Sequence, residues 1–339
     1  MASESPAAYP LYGTTFNLHR VSPLYTGSNY PLDNRTLAHH AKRLRDVLAG
    51  DVLRGVRVGL DPEESALGNA GTLQTVAWKL LPDETEIIDN EDTTMSLAVS
   101  RGQIITIVYE NITYTAILLQ DPAAEELDES AIGVGVDGFG FEHLPLLLTK
   151  MRAPLRETFT DFLSITFDAR VSTFHLADKY IIDQFERYLA HICIGEDGDA
   201  MDAVESSRTI RNVIGGVVIY ISFDLPGLST LKTVTIGLSE QDVPRIVALG
   251  KKIDKGTSDS PFMEALTIYA KKHLAMDLKH EKVFISSIAC DAFVLGVEGK
   301  VKMAVPPMKD GGENPQWRAT RRLVNGLVAL AKGSKMVDS

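Results

Sequence analysis

The alternation of apolar and polar positions is clearest near the start of the chain and in its last third. Phe16, Leu18 and Arg20 alternate with Thr15, Asn17 and His19, which predicts a strand closed by Ser22-Pro23. From Arg35 to Leu48 the period changes to that of a helix, with Leu37, Ala41, Leu44 and Leu48 on one stripe. Strands are predicted over Val52–Leu60 and Thr72–Leu81, and Gln103–Tyr109 with Ile112–Leu119 reads as a hairpin around Glu110-Asn111. Helices follow over Pro154–Ile165 and His175–Ile192, then strands over Val213–Phe223 and Leu231–Leu238. Ser239-Glu240-Gln241-Asp242 is close to a capping box for the helix after it.

The last third has the most explicit punctuation. Ser260-Pro261 places a capping residue before a proline at the first helical position, where the missing N–H is no loss. Val283-Phe284-Ile285 opens a strand. Ala292–Val297 and Lys300–Val305 flank Glu298-Gly299, a two-residue hairpin loop. Asn314-Pro315 begins a final helix, and Gly333 stands where a helix terminus takes a left-handed residue.

If Val297 faces Lys300 across that loop, Val294 faces Met303 and Leu295 faces Lys302. One face then carries Val294, Val301, Met303 and Val305, which is ordinary core. The other carries Phe293, Leu295 and Val297, fringed by Lys300 and Lys302. A hairpin apolar on both faces is either enclosed in its own domain or covered by another chain.

Composition narrows the class. The 339 residues are 45% apolar and 23% charged, enough for a globular protein of one large or two smaller domains. No apolar run is long enough to cross a bilayer. Met1–Pro10 has no basic n-region, so no signal peptide is expected. Cys193 and Cys290 lie too far apart for a metal pattern, and a reducing compartment, cytosol or nucleus, is expected.

The net charge of −11 is unevenly spread. Residues 245–339 hold 16 Lys/Arg against 10 Asp/Glu, so the last third is basic on an otherwise acidic chain. That asymmetry points to a local anionic contact and not to general coating of nucleic acid.

Motifs for catalysis are scarce. Gly133-Val134-Gly135-Val136-Asp137-Gly138 matches G-x-G-x-x-G, but an acidic stretch precedes it and Phe139-Gly140-Phe141 follows where a helix should start. Acidic neighbours do not suit a phosphate. There is no nucleophile elbow, P-loop, HExxH or CxxC, and the eight histidines are scattered. A metabolic enzyme using residues 133–140 for a nucleotide is the alternative reading.

Several segments resemble a known family. LYGTTFNLHRVSPLY is similar to the strand and Ser-Pro-Leu-Tyr opening of centromere protein L (CENP-L) and its fungal counterparts. RLRDVLAGDVLRGVRVGL fits the fungal branch. IYISFDLPGLSTLKTVTIGLSEQDVPRI, KVFISSIACDAFVLGVEGKVKM and QWRATRRLVNGLVALA resemble the later part of the family, and the likeness covers most of the chain.

The resemblance implies a non-enzymatic inner-kinetochore subunit of the constitutive centromere-associated network, nuclear and without a cofactor or metal. It would act in chromosome segregation during the cell cycle. Such proteins pair with a CENP-N-like protein through the C-terminal sheet, work beside other inner-kinetochore subunits, help bind centromeric DNA, and in some fungal members form homodimers. Val283, Ile285, Phe293, Leu295 and Val297 are the partner-binding candidates. Lys300, Lys302, Arg318, Arg321 and Arg322 are the candidates for phosphate contact, which would be independent of base sequence. The expected fold is α+β, with largely antiparallel sheets and helices packed on one side. Two lobes are expected, residues 1–145 with acidic loops, and 146–339 with the hairpin and the basic final helix.

Overall fold

In the computed structural model the alternating run Thr15–Val21 is extended and forms strand β1, which stops before Pro23, a residue with no N–H for a ladder. The structure describes residues 9–27, 32–54, 70–82, 84, 100–121, 140–195, 198–224, 232–254, 260–307 and 314–333. After β1 come β2 (Leu24–Tyr25), α1 (Asn34–Arg54), β3 (Leu73–Pro82), β4 (Ser100–Tyr109), β5 (Thr113–Leu119), β6 (Phe141–Glu142) and β7 (Leu146–Lys150). Then follow α2 (Ala153–Phe167), β8 (Val171–Thr173), α3 (Asp178–Ile192), α4 (Ala203–Ile214), β9 (Val217–Phe223) and β10 (Thr233–Leu238). The chain continues through α5 (Asp242–Asp254), α6 (Pro261–Leu274), β11 (Val283–Ala289), β12 (Phe293–Gly296), β13 (Lys300–Met303) and α7 (Pro315–Lys332). The fold class is α+β, as the sequence predicts.

The chain divides into two compact units, neither of them continuous in sequence. An N-terminal unit takes residues 16–174 and 325–339, and a C-terminal unit takes residues 1–15 and 175–324. Residue 145, where the sequence places the lobe boundary, lies inside the first of these, immediately before β7.

In the N-terminal unit the strand order is β1-β7-β5-β4-β3, with β8 on the other side of β1, and the ladders are antiparallel. The apolar stripe of α1 (Leu37, Ala41, Leu44, Leu48) and that of α2 (Leu155, Phe159, Phe162, Leu163) bury one face of the sheet around Trp78. The Trp78 indole donates to Gln103 at 2.9 Å, and Gln103 donates in turn to Glu142 at 2.9 Å. The predicted helix at Arg35–Leu48 runs on to Arg54, so the strand expected over Val52–Leu60 begins inside α1 and otherwise lies outside the described residues. The second half of α7 also belongs here. Asn325 accepts from Arg101 at 2.9 Å, the Leu330 carbonyl accepts from Arg20 at 3.0 Å, and Lys332 donates to Asp121 at 2.8 Å.

In the C-terminal unit the order is β10-β9-β11-β12-β13, again antiparallel throughout. Helix α4 replaces the first residues of the strand predicted over Val213–Phe223. Asp202 caps α4 by accepting from Val204 and Glu205, and the helix stops at Gly215, whose φ of 58° lies in the left-handed region. A side chain at Gly215 would also collide with Asp291.

Candidate partner interface

Alternation sorts the C-terminal sheet into two unlike faces. Ile219 and Ile221 on β9, Ile285 and Ile288 on β11, Phe293 and Leu295 on β12, and Val301 and Met303 on β13 are all buried. Helix α3 packs on this face, and α6 packs against α3. Phe293 meets Phe185 and Tyr188 edge-to-face at 6.2 and 4.9 Å, and Phe185 meets Phe262 at 5.0 Å. The first half of α7 adds Thr320, whose hydroxyl lies 3.0 Å from the Tyr188 hydroxyl.

The hairpin register differs by one residue from the pairing read in the sequence. Phe293 pairs with Met303, Val294 with Lys302 and Leu295 with Val301. The loop has three residues instead of two. Gly299 donates to the Gly296 carbonyl at 3.0 Å and has a φ of 73°, the left-handed position that closes a three-residue hairpin. A shift of one residue moves each side chain to the other face. Phe293, Leu295, Val301 and Met303 therefore share the buried face, and the hairpin is apolar on one side only.

The partner-binding candidates consequently separate. Phe293 and Leu295 are 2% and 0% exposed, and Ile285 is 4% exposed, so the chain's own helices already cover them. Val283 is half-buried on the same face. Val297 is half-buried in the loop, where its carbonyl accepts from Leu176 at 3.0 Å.

The opposite face is open. Val218 and Ser222 on β9, Phe284 on β11, and Val294 on β12 are half-buried, and Tyr220 is 38% exposed. Thr233 and Thr235 on β10 are exposed. The Ser222 hydroxyl donates to that of Ser286 at 2.9 Å, which in turn donates to the Tyr220 carbonyl, so the hydroxyls are partly satisfied within the sheet. Among the described strand residues of this face, the charges are those of Lys300 and Lys302, both exposed on β13. β10 ends the strand order on one side, and an end strand presents unpaired N–H and C=O groups along its outer edge.

The five phosphate-contact candidates do not form one patch. Lys300 and Lys302 project from the open face, whereas the arginines sit on the helical side, where α7 meets the end of α3. Arg318 donates to the carbonyls of Ile194 and Gly195 at 3.3 and 2.8 Å. Arg321 lies over the Trp317 ring at 5.2 Å. Arg322 donates to His191 Nδ1 at 2.7 Å; burial, with Arg322 and Arg187 nearby, holds that imidazole below its ordinary pKa and so in the neutral form able to accept.

One buried carboxylate gave no sequence signal. Glu186 of α3 accepts the backbone N–H of Met263 in the first turn of α6 at 2.8 Å, while Ser260 makes no side-chain cap bond there. Burial raises Glu186 to about 7. Burial pushes the Cys290 thiol up to about 12, so it stays protonated and unreactive. Among the described residues no group of His, Cys, Asp or Glu is arranged to hold a metal. The Gly133–Gly138 stretch lies outside the described residues.

The family model for centromere protein L matches residues 10–332. No curated protein matches the chain.

Proposed function

The chain belongs to the centromere protein L family of kinetochore subunits, and from that premise we propose that it pairs with a CENP-N-like protein through the open face and β10 edge of its C-terminal sheet. In this reading it is a non-enzymatic inner-kinetochore subunit of the nucleus, holding other subunits at the centromere for chromosome segregation. The observation that carries the placement is the asymmetry of the sheet. Phe293 is already covered by α3 and Leu295 is fully buried, while among the described residues the face with Tyr220, Phe284 and Val294 has no buried side chain. Such a face, uncharged except at its β13 margin, can be covered without stranding an unpaired ion.

Phe293, Leu295 and Ile285 then act from behind, by holding the strands flat and in register, and Val297 lies at the rim. Lys300 and Lys302 stand beside the docked partner and contact DNA phosphates without reading bases. Arg318 and Arg322 contribute less, because their guanidiniums already donate to carbonyl and imidazole acceptors at 2.8 and 2.7 Å, and Arg321 lies over the Trp317 ring. The contact of Lys300 is an exposed one to Glu298 at 3.4 Å, which solvent screens. A homodimer would compete for the same edge.

Size-exclusion chromatography with light scattering tests this on the full chain, alone and mixed with a CENP-N-like protein. The wild type is expected to form a 1:1 complex, and Tyr220→Asp is expected to abolish it while keeping its own fold. A wild type that forms no complex, or a folded Tyr220→Asp that binds unchanged, overturns the placement.

A further inference from the structure

Between α1 and α2, within the N-terminal unit, runs a groove of about 520 Å3. Helix phase explains its lining. The stripe of α1 at Leu37, Ala41, Leu44 and Leu48 faces the core, so Arg43 and Val47, four residues apart, lie together on its flank. On α2 the buried residues are Leu155, Phe159, Phe162, Leu163 and Phe167, and Asp161 and Ile165 lie together beside them. Phe162, 6% exposed, makes the floor, with its ring 6.4 Å from that of Trp78. Val47 and Ile165 make the walls and are 40% and 84% exposed.

Single exposed aliphatics are common, but two that line one groove over an aromatic floor are not scattered surface. The rim is polar. Asp46 and Asp161 have no hydrogen-bond or ion-pair partner among the described residues, and one guanidinium, Arg43, faces the same space. An apolar centre within a charged rim is the anatomy of a protein-binding site, and here two carboxylates, Asp46 and Asp161, stand against the one guanidinium of Arg43.

We propose that this groove docks an amphipathic helical segment of a partner protein, with an apolar anchor between Val47 and Ile165 and a Lys or Arg facing Asp46 and Asp161. The residue rows on α1 and α2 are ridges that a third helix can pack between, and an anchor at the centre of a desolvated pocket supplies most of the affinity of such a contact. The site is separate from the C-terminal sheet and does not depend on the pairing proposed for it.

Fluorescence anisotropy on the full chain tests the proposal. The probes are two labelled helical peptides of about 15 residues, long enough to hold a helix. They share leucine anchors at i, i+4 and i+7 and differ in carrying lysine or aspartate beside them. The lysine peptide is expected to bind and the aspartate peptide not to. Ile165→Asp, at an exposed position, should weaken binding at least about tenfold with the thermal melt unchanged. The double variant Asp46→Lys, Asp161→Lys should reverse the preference between the peptides. Equal binding of both peptides, binding indifferent to Ile165→Asp, or no binding at millimolar peptide overturns the proposal. Concentration-dependent self-association that Ile165→Asp abolishes also overturns it, by giving the groove to a second copy of the chain.

Discussion

Glu186 Oε1 accepts the backbone N–H of Met263 at 2.8 Å, so the cap of one helix is supplied by a carboxylate from the middle of another. A helix start leaves N–H groups without partners, and a carboxylate there also meets the positive end of the helix dipole. The location still disfavours charge, since Glu186 is only 6% exposed and burial lifts it from 4.5 to about 7.

That shift sets the direction of a pH effect. The folded carboxyl keeps its proton to higher pH than the unfolded one, so its contribution is full below 4.5 and is lost as pH rises through about 7. Glu186→Gln keeps the acceptor without the charge. Relative to wild type it should gain on the order of 2 kcal/mol as the pH goes from about 4.5 to about 8. Urea denaturation of both proteins across that range reads the difference; a gap that does not grow with pH contradicts it.

The two faces of the C-terminal sheet should respond oppositely to mutation. Phe293→Ala removes a ring packed on Phe185 and Tyr188, and should lower stability by about 3–5 kcal/mol in chemical denaturation. Leu295→Asp buries a carboxylate and should prevent folding. Tyr220→Asp, on the open face, should leave the melting temperature within a few degrees of wild type.

Tyr188→Phe should be mild. The Thr320 hydroxyl donates to the Gln316 carbonyl at 2.8 Å, so it is Tyr188 that donates to Thr320. Removing the phenol leaves Thr320 satisfied, and the expected loss is about 1 kcal/mol in a thermal or urea melt.

Gly102→Ala should be severe on steric grounds. Its φ is 147°, and a Cβ there would lie 2.0 Å from the Leu118 carbonyl oxygen of the neighbouring strand. The β4–β5 ladder must open locally, and the expected loss exceeds about 2 kcal/mol. Equilibrium denaturation that shows a near-wild-type midpoint would refute the crowding argument.

If Lys300 and Lys302 meet phosphates, replacing both by Gln should flatten the dependence of DNA affinity on salt. The slope of log K against log salt should fall by about 1.8 for duplex DNA, close to 0.9 per lost contact. Titrations of the partner complex at several salt concentrations measure it, and an unchanged slope removes the lysines from the contact.

Much of this architecture was legible in the sequence because the information was local. The cap at Asn314 accepts from Gln316 at 2.9 Å, and Gly333 has a φ of 87° at the end of α7. The β4–β5 hairpin falls where alternation puts it. Helix α4 was missed although Asp202 and Gly215 mark its ends, because its buried stripe consists of only Ile210 and Ile214. β7 was missed for the opposite reason. Paired on both sides by β1 and β5 and buried over Leu146–Thr149, it has no alternation to detect. The hairpin register turned on whether Val297 belongs to the strand or the loop, which depends on the backbone at Gly299. The Glu186 cap joins positions 77 residues apart and has no local signature.

The division of the chain has a consequence for the order in which it is made. The N-terminal unit draws its last pieces from α7, through Arg101 to Asn325 and Asp121 to Lys332. A ribosome that has released residues 16–174 has therefore delivered the sheet and its helices but not the segment that completes them. At roughly 5–20 residues per second that segment follows many seconds later. Until then the contacts of Arg101 to Asn325 and of Asp121 to Lys332 cannot form, and the first unit to begin folding cannot be finished before translation reaches α7.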